Sequence, residues 1–251
     1  MKNLDGKTAI VTGGTRDIGR SCSLKLAEGG AKVAVNYLNN EEAGAETVAA
    51  IKKAGGEAIM VKGDMTRKAD VDHLVAVTRE AFGESIHVLV NNVGGLVARK
   101  KLAEMDEDFL NHVMALNMNS TFLATQAAVP HMSPGGSIVN LASLAGRDGG
   151  GGGASAYAVS KGAVMTFTRA MAKELGPDGI RVNALCPGMI DTTFHDTFTP
   201  DAARRNVEAS VPMRRQGHPD DCGELVAYLA SDASAYITGA NIDINGGMFF
   251  S

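Results

Sequence analysis

The sequence predicts an α/β protein: a doubly wound sheet of about seven parallel strands with helices on both faces. Short apolar, β-branched runs alternate with helical patterns along the whole chain, the first run opens into a glycine-rich turn, and neither a repeat nor a compositional break divides the sequence. Continuous apolar runs fit strands covered on both faces, and strand–helix alternation fits parallel pairing through crossovers.

Taken in order, strands are expected at 8–12, 32–36, 57–62, 87–91, 137–141, 181–185 and 241–244. Thr8-Ala9-Ile10-Val11-Thr12 runs straight into Gly13-Gly14-Thr15-Arg16-Asp17-Ile18-Gly19 and then a helical pattern at 21–28. Strand, glycine-rich turn and helix in that order make a phosphate cradle. Glycine lets the backbone approach a diphosphate, and the helix N-terminus supplies aligned N–H groups. Further helical patterns lie at 42–53, 68–82, 106–129, 157–175 and 220–229. Right-handed crossovers bring the loops at Gly13, Asn91, Ser143 and Pro187 to one sheet edge. The 251 residues, 45% hydrophobic, suffice for a sizeable core, and residues 1–251 are expected to form a single dinucleotide-binding and catalytic domain.

The chemistry is suggested by Tyr157 and Lys161, about one helical turn apart and therefore on one face, with Ser143 upstream. A cation beside a phenol favours phenolate and lowers its pKa toward the range useful for proton exchange at neutral pH, as a carbonyl reductase or alcohol dehydrogenase requires.

These motifs, in this order and over essentially the whole chain, resemble the short-chain dehydrogenase/reductase family, in its compact branch similar to 3-oxoacyl carrier-protein reductases and glucose or keto-sugar dehydrogenases. The resemblance implies a Rossmann-type fold and a catalytic tetrad of Asn117, Ser143, Tyr157 and Lys161. It implies nucleotide contacts at Gly13, Thr15, Arg16, Asp17 and Ile18, at Asn36 and Tyr37, at Asp64 and Met65 beside the adenine, and at Asn91, Val93 and Gly94. Tyr157, Lys161, Pro187, Gly188, Ile190 and Thr192 would meet the nicotinamide end. Tyr157 would exchange the proton, Ser143 would stabilise the substrate oxygen, Lys161 would bind the ribose and hold the tyrosine pKa down, and Asn117 would anchor a water relay. Two positions depart from the pattern. Val93 replaces alanine, and Asp17 replaces a residue that is usually glycine. An aspartate in a first helical turn is favoured as cap and dipole partner, and Asp17 is read as a cap pointing into solvent.

NADP(H) is favoured over NAD(H), because the second strand ends in neutral Asn36 and Arg16 offers a charge-assisted phosphate contact. The net charge of −4 and the absence of a basic stripe argue against nucleic-acid and membrane partners. Three dispersed cysteines, Cys22, Cys186 and Cys222, read as free thiols, and the N-terminus shows no apolar signal core, so a cytoplasmic location is expected. The six histidines show no metal-ligand spacing, and no metal site is expected.

The substrate is read as a small-molecule ketone or secondary alcohol, including sugars, polyols and keto-acids. Gly149–Gly153 would form either a side-chain-free wall or a surface loop. Arg99-Lys100-Lys101 would either attract an anion or form a solvated face. Phe194, Phe198 and Met213 are candidates for an apolar lid. A 3-oxoacyl carrier-protein reductase is the first alternative, and a non-catalytic NADPH-binding sensor the second. From the resemblance, a homotetramer or homodimer is expected, pairing through the helices at 106–129 and 157–175 and through the apolar C-terminal tail.

Overall fold

The central strands are buried on both faces, and their side chains divide between two cores. The computed structural model describes residues 3–251; Met1 and Lys2, the first residues of the N-terminal stretch read above, lie outside it. Strands β1 (Thr8–Val11), β2 (Lys32–Tyr37), β3 (Ala58–Lys62), β4 (Ile86–Asn91), β5 (Met132–Leu141), β6 (Arg181–Pro187) and β7 (Asn241–Ile244) form one parallel sheet in the order β3-β2-β1-β4-β5-β6-β7. The helices are α1 (Asp17–Glu28), α2 (Glu41–Lys53), α3 (Lys68–Phe82), α4 (Glu107–Met114), α5 (Ser120–Ala128), α6 (Ala145–Asp148), α7 (Ser155–Leu175), α8 (Thr193–Phe198), α9 (Asp201–Ser210) and α10 (Pro219–Ala230).

Period-two alternation sorts the strand residues. Ala9, Val11, Val33, Val35, Val88 and Val90 face Cys22 and Leu26 of α1, Ile51 of α2 and Val226 and Leu229 of α10. Ile10, Ala34, Leu89, Ile138 and Val182 face α3, α5 and α7 through Leu74, Ala124 and Leu175. Burying one such leucine or valine contributes about 1.5–3 kcal/mol, and the two-sided core is what fixes the strand ends against each other. Strand order reverses between β1 and β4, and a crevice opens there at the strands' C-terminal ends.

Several elements differ from expectation. Helix α1 begins at Asp17 rather than near 21. The single helix expected over 106–129 is broken, because Ala115–Asn119 is a π-helical turn between α4 and α5. Pro130 then ends the run in a 3₁₀ turn, Val129–His131. Between β6 and α10, where no helix was expected, lie α8 and α9. Among the described residues no helix is long and apolar enough to cross a membrane.

Candidate active site

A cleft of about 860 Å³ runs along the C-terminal edge of the sheet, lined at one end by Thr15, Arg16 and Tyr37–Asn40 and at the other by Phe198 and Met248. Its floor begins at the glycine-rich turn. Gly13 adopts φ +59, and a Cβ on Gly19 would lie 2.2 Å from the Gly13 carbonyl oxygen, so that crossing of turn and helix admits only glycine. The turn is held from beneath. Gly13 N donates to Asn36 Oδ1 at 3.0 Å, Asn92 Nδ2 donates to the Thr12 and Gly13 carbonyls at 3.0 Å each, and Thr47 Oγ1 of α2 donates to the Thr15 carbonyl at 3.1 Å.

In the middle of the cleft stand Ser143, just beyond β5, and Tyr157 and Lys161 on α7. Burial pushes the Tyr157 phenol up from its ordinary value, and hydrogen bonding with Ser143 pulls it partway back. Burial pushes Lys161 down to about 8. The Lys161 ammonium lies 5.8 Å from the Tyr157 ring centre and donates to the Leu141 carbonyl at 2.6 Å. The helical spacing therefore gathers the pair as expected, but the expected downward push on the phenol is absent: the ammonium's partner is a main-chain oxygen, and burial dominates the phenol.

Asn117 sits in the π-helical turn and is fully buried. Its Nδ2 donates to the Gly95 and Val113 carbonyls at 3.0 and 2.9 Å, and its Oδ1 accepts from Gly95 N at 2.9 Å. Both amide hydrogens are thus spent on main chain, so a water anchored here would be held by an acceptor oxygen of Asn117. The side chain instead pins the loop after β4, where a Cβ on Gly94 would come within 2.6 Å of Asn117 Oδ1 and 2.9 Å of Lys161 Nζ.

The cleft is covered by α8. Phe194 stands 5.9 Å from the Tyr157 ring and 5.2 Å from Phe198, centre to centre. His195, unnoticed in the sequence, also lines the cleft; burial first, then Arg204 and Arg99, push its pKa down to about 4, so its ring is neutral. Arg99 lines the cleft and donates to the Phe198 carbonyl at 3.3 Å and the Gly152 carbonyl at 3.0 Å. Gly150 and Gly151 form part of the wall, so the glycine run faces the site. Lys100 turns away to Asp106 and the Phe109 ring.

Gly13, Thr15, Arg16, Asp17, Ile18, Tyr37, Val93, Gly94, Pro187, Gly188, Ile190 and Thr192 line the cleft together with Ser143, Tyr157 and Lys161. Asn36, Asp64, Met65, Asn91 and Met213 do not. Asn36 points into the sheet and clamps the turn; Asp64 caps its own loop through Thr66, at 2.9 Å to N and 2.7 Å to Oγ1. Met65 is packed in the core beside Leu74, and Met213 is exposed. Asn91 is buried, donating to Thr125 and Asn140 at 3.1 and 2.8 Å. Its neighbour Asn92 reaches the cleft instead, as strand alternation demands. Asp17 is no solvent-facing cap. It has φ +51, and its carboxylate accepts from Thr193 N at 3.2 Å and Thr193 Oγ1 at 2.5 Å. Leu38, Asn39 and Asn40 are further lining residues that the sequence reading passed over; their place directly after the β2 end was the available signal. Among the described residues no group of three or more His, Cys, Asp or Glu is placed to hold a metal ion.

A serine, a tyrosine and a lysine gathered at the carboxyl edge of a doubly wound parallel sheet define the class of Rossmann-type enzymes. A family model described as Enoyl-(Acyl carrier protein) reductase matches residues 13–249. The chain is 37% identical over 249 residues to the uncharacterized oxidoreductase YhxC of Bacillus subtilis, covering 98% of this chain and 86% of that one. It is 37% identical over 247 residues to the 3-oxoacyl-[acyl-carrier-protein] reductase FabG of Staphylococcus aureus, covering 97% and 98%. A short-chain dehydrogenase from Burkholderia cenocepacia, solved in complex with NADP, superposes with a TM-score of 0.91 at 34% identity over 98% of both chains. An NADH-dependent reductase, A1-R', responsible for alginate metabolism, gives 0.91 at 33% identity over 100% of both. The chain belongs to the short-chain dehydrogenase/reductase family and is an oxidoreductase.

Proposed function

We propose that the chain acts as one catalytic unit that reduces a small ketone to a secondary alcohol with a nicotinamide dinucleotide, NADP(H) in preference to NAD(H), Tyr157 serving as general acid. The observation that carries this reading is the half-buried Tyr157 beside Ser143 in a cleft continuous with the glycine-rich turn. The residues fit a dinucleotide. Side-chain-free backbone at Gly13 and Gly94 floors the cleft, and its volume of about 860 Å³ falls within the range of cavities that enclose small ligands and cofactors. Tyr37, Leu38, Asn39 and Asn40 close the far end without a carboxylate, and Arg16 is largely exposed beside them. That neutral end with a nearby cation, rather than the inward-turned Asn36, supports NADP(H).

When bound, the nicotinamide supplies or accepts the hydride. Tyr157 holds its proton through neutral pH and releases it to the substrate oxygen as negative charge develops there. The Ser143 hydroxyl donates to the same oxygen. Lys161 supplies positive charge near the phenol, and Asn117 positions the Gly94–Gly95 backbone. Phe194 and Phe198 exclude water above the reacting atoms.

A second reading, 3-oxoacyl carrier-protein reduction, is favoured by the 37% identity to FabG. A panel of small ketones, keto-sugar acids, diketones and acetoacetyl thioesters, assayed by NADPH and NADH oxidation, tests both. Turnover of the small ketones with NADPH supports the first reading, and turnover of acetoacetyl thioesters alone replaces it with the second. Cys22, Cys186 and Cys222 are unpaired and buried, which supports a reducing compartment, and we place the protein in the cytoplasm.

A further inference from the structure

Asp17 combines two features that neither the fold nor the chemistry above requires. It holds a left-handed backbone conformation that costs a side-chain-bearing residue free energy, and its carboxylate spans the cleft to a segment 176 positions away. Both donors of Thr193, its N–H and its hydroxyl, meet that carboxylate. Thr193 opens α8, whose next residue is Phe194 against Tyr157, and the far end of α8 is held by Arg99 through the Phe198 carbonyl. The cover over the site is therefore fastened at one end by a side chain of the glycine-rich turn. On that turn, from Gly13 to Gly19, Asp17 is the only acidic residue. Arg16 lies 4.0 Å from it, is mostly exposed, and neutralises it weakly.

We propose that Asp17 is a positioning residue that couples closure of α8 to retention of the dinucleotide. The proposal rests on the reading that the glycine-rich turn binds the dinucleotide's diphosphate. With the cover closed, Thr193 engages the carboxylate and directs it across the cleft into α8. With the cover open, the same carboxylate is an unpaired negative charge beside a bound dianion, and like-charge repulsion drives the dinucleotide out. Opening of the substrate side and release of the cofactor thus become one event, and a residue that is unfavourable for cofactor affinity earns its place through turnover.

Three variants separate charge from contact: Asp17→Gly, Asp17→Asn and Thr193→Val. The readouts are the NADPH dissociation constant and dissociation rate, followed by cofactor fluorescence without substrate, and then KM and kcat. Thr193→Val leaves the charge without its hydroxyl donor, and NADPH binding weakens roughly five- to tenfold, with faster release. The effect shrinks at 1 M salt, where the Debye length is about 3 Å. Asp17→Gly and Asp17→Asn bind NADPH more tightly and release it more slowly than the wild type. Asp17→Asn keeps an acceptor for Thr193 and holds the substrate KM near wild type, whereas Asp17→Gly raises it. In the Asp17→Gly background, Thr193→Val changes NADPH affinity by less than about twofold. An equal loss in both backgrounds overturns the clasp, as do Asp17 variants whose NADPH affinity and release match the wild type. Wild-type protein that binds neither NADPH nor NADH overturns the dinucleotide reading itself, and the clasp with it.

Discussion

Tyr157 and Lys161 owe their properties to burial more than to each other. The phenol, pushed up, stays protonated across neutral pH, the form that the proposed reduction requires of its general acid. Replacing Tyr157 by Phe removes one oxygen and leaves the ring packed against Phe194. The expected outcome is a fall in kcat/KM of about 10²–10⁴, with NADPH affinity changed less than about twofold, measured by steady-state kinetics and fluorescence titration. Undiminished turnover would remove Tyr157 from the mechanism. Lys161 gives a pH signature whose two parts run in opposite directions. Its folded value, about 8, lies below the ordinary 10.5. Below about 8 the lysine is charged in both folded and unfolded states, and the native state carries the full cost of burying the charge. As pH rises from about 8 to 10.5, the native state sheds that cost, so this group's contribution to stability increases. Over the same window the ammonium disappears from the active site. Reduction rate should therefore decline through about pH 8 while the melting temperature gains from this residue, a gain that Lys161→Met abolishes. A rate that stays flat to pH 9.5 would contradict the assignment.

At the scale of elements, the π-helical turn Ala115–Asn119 interrupts the run from α4 to α5 and lies directly behind the site. Inserting one residue into an α-helix forfeits regular bonds, and such turns persist where a side chain is redirected to use. Here the turn aims Asn117 at the Gly95 N–H and carbonyl. Asn117→Ala strands those groups and the Val113 carbonyl in a buried setting. It should cost about 1–3 kcal/mol of stability and lower kcat more than it raises the NADPH KM, as read by calorimetry and steady-state kinetics. An unchanged melting temperature would mean that water satisfies the freed groups. The turn was invisible in the sequence, because 106–129 carries one helical period throughout and nothing local distinguishes Asn117 from a surface asparagine. The strands were legible to within a residue or two at most ends, since a two-sided core demands unbroken apolar runs. Strand β5 was the exception, extending back to Met132 through Pro134-Gly135-Gly136, a stretch that reads as a turn. Within the site, the serine, tyrosine and lysine were legible from spacing and order. The orientation of the asparagines at the strand ends was not. Whether Asn36, Asn91 or Asn92 meets the cleft depends on the pleat at the last residue of each strand, and a one-residue difference there exchanges a lining group for a buried clamp.

For the whole molecule, some of the exposed apolar side chains sit on the elements expected to pair. Phe122 of α5 and Val159 of α7 are exposed on the two helices expected to pair, and Tyr236 and Phe250 flank the edge strand β7. We propose that these exposed side chains mark two surfaces covered by other copies, an arrangement that would generate a closed tetramer of pairwise interfaces. Val159 lies two residues from Tyr157, so a partner packed against it would brace the helix that carries the catalytic pair. Sedimentation should give a tetramer at micromolar concentration. Val159→Lys should split it into dimers held through the β7 edge, with kcat lowered because α7 loses its support. Phe250→Asp should split it along the other interface and lower kcat less than Val159→Lys does, since Phe250 lies on no element that carries Tyr157 or Lys161. A wild-type monomer would show that both patches are simply tolerated, whereas equal kinetic losses in the two variants would show that the patches act through assembly as a whole and not through α7.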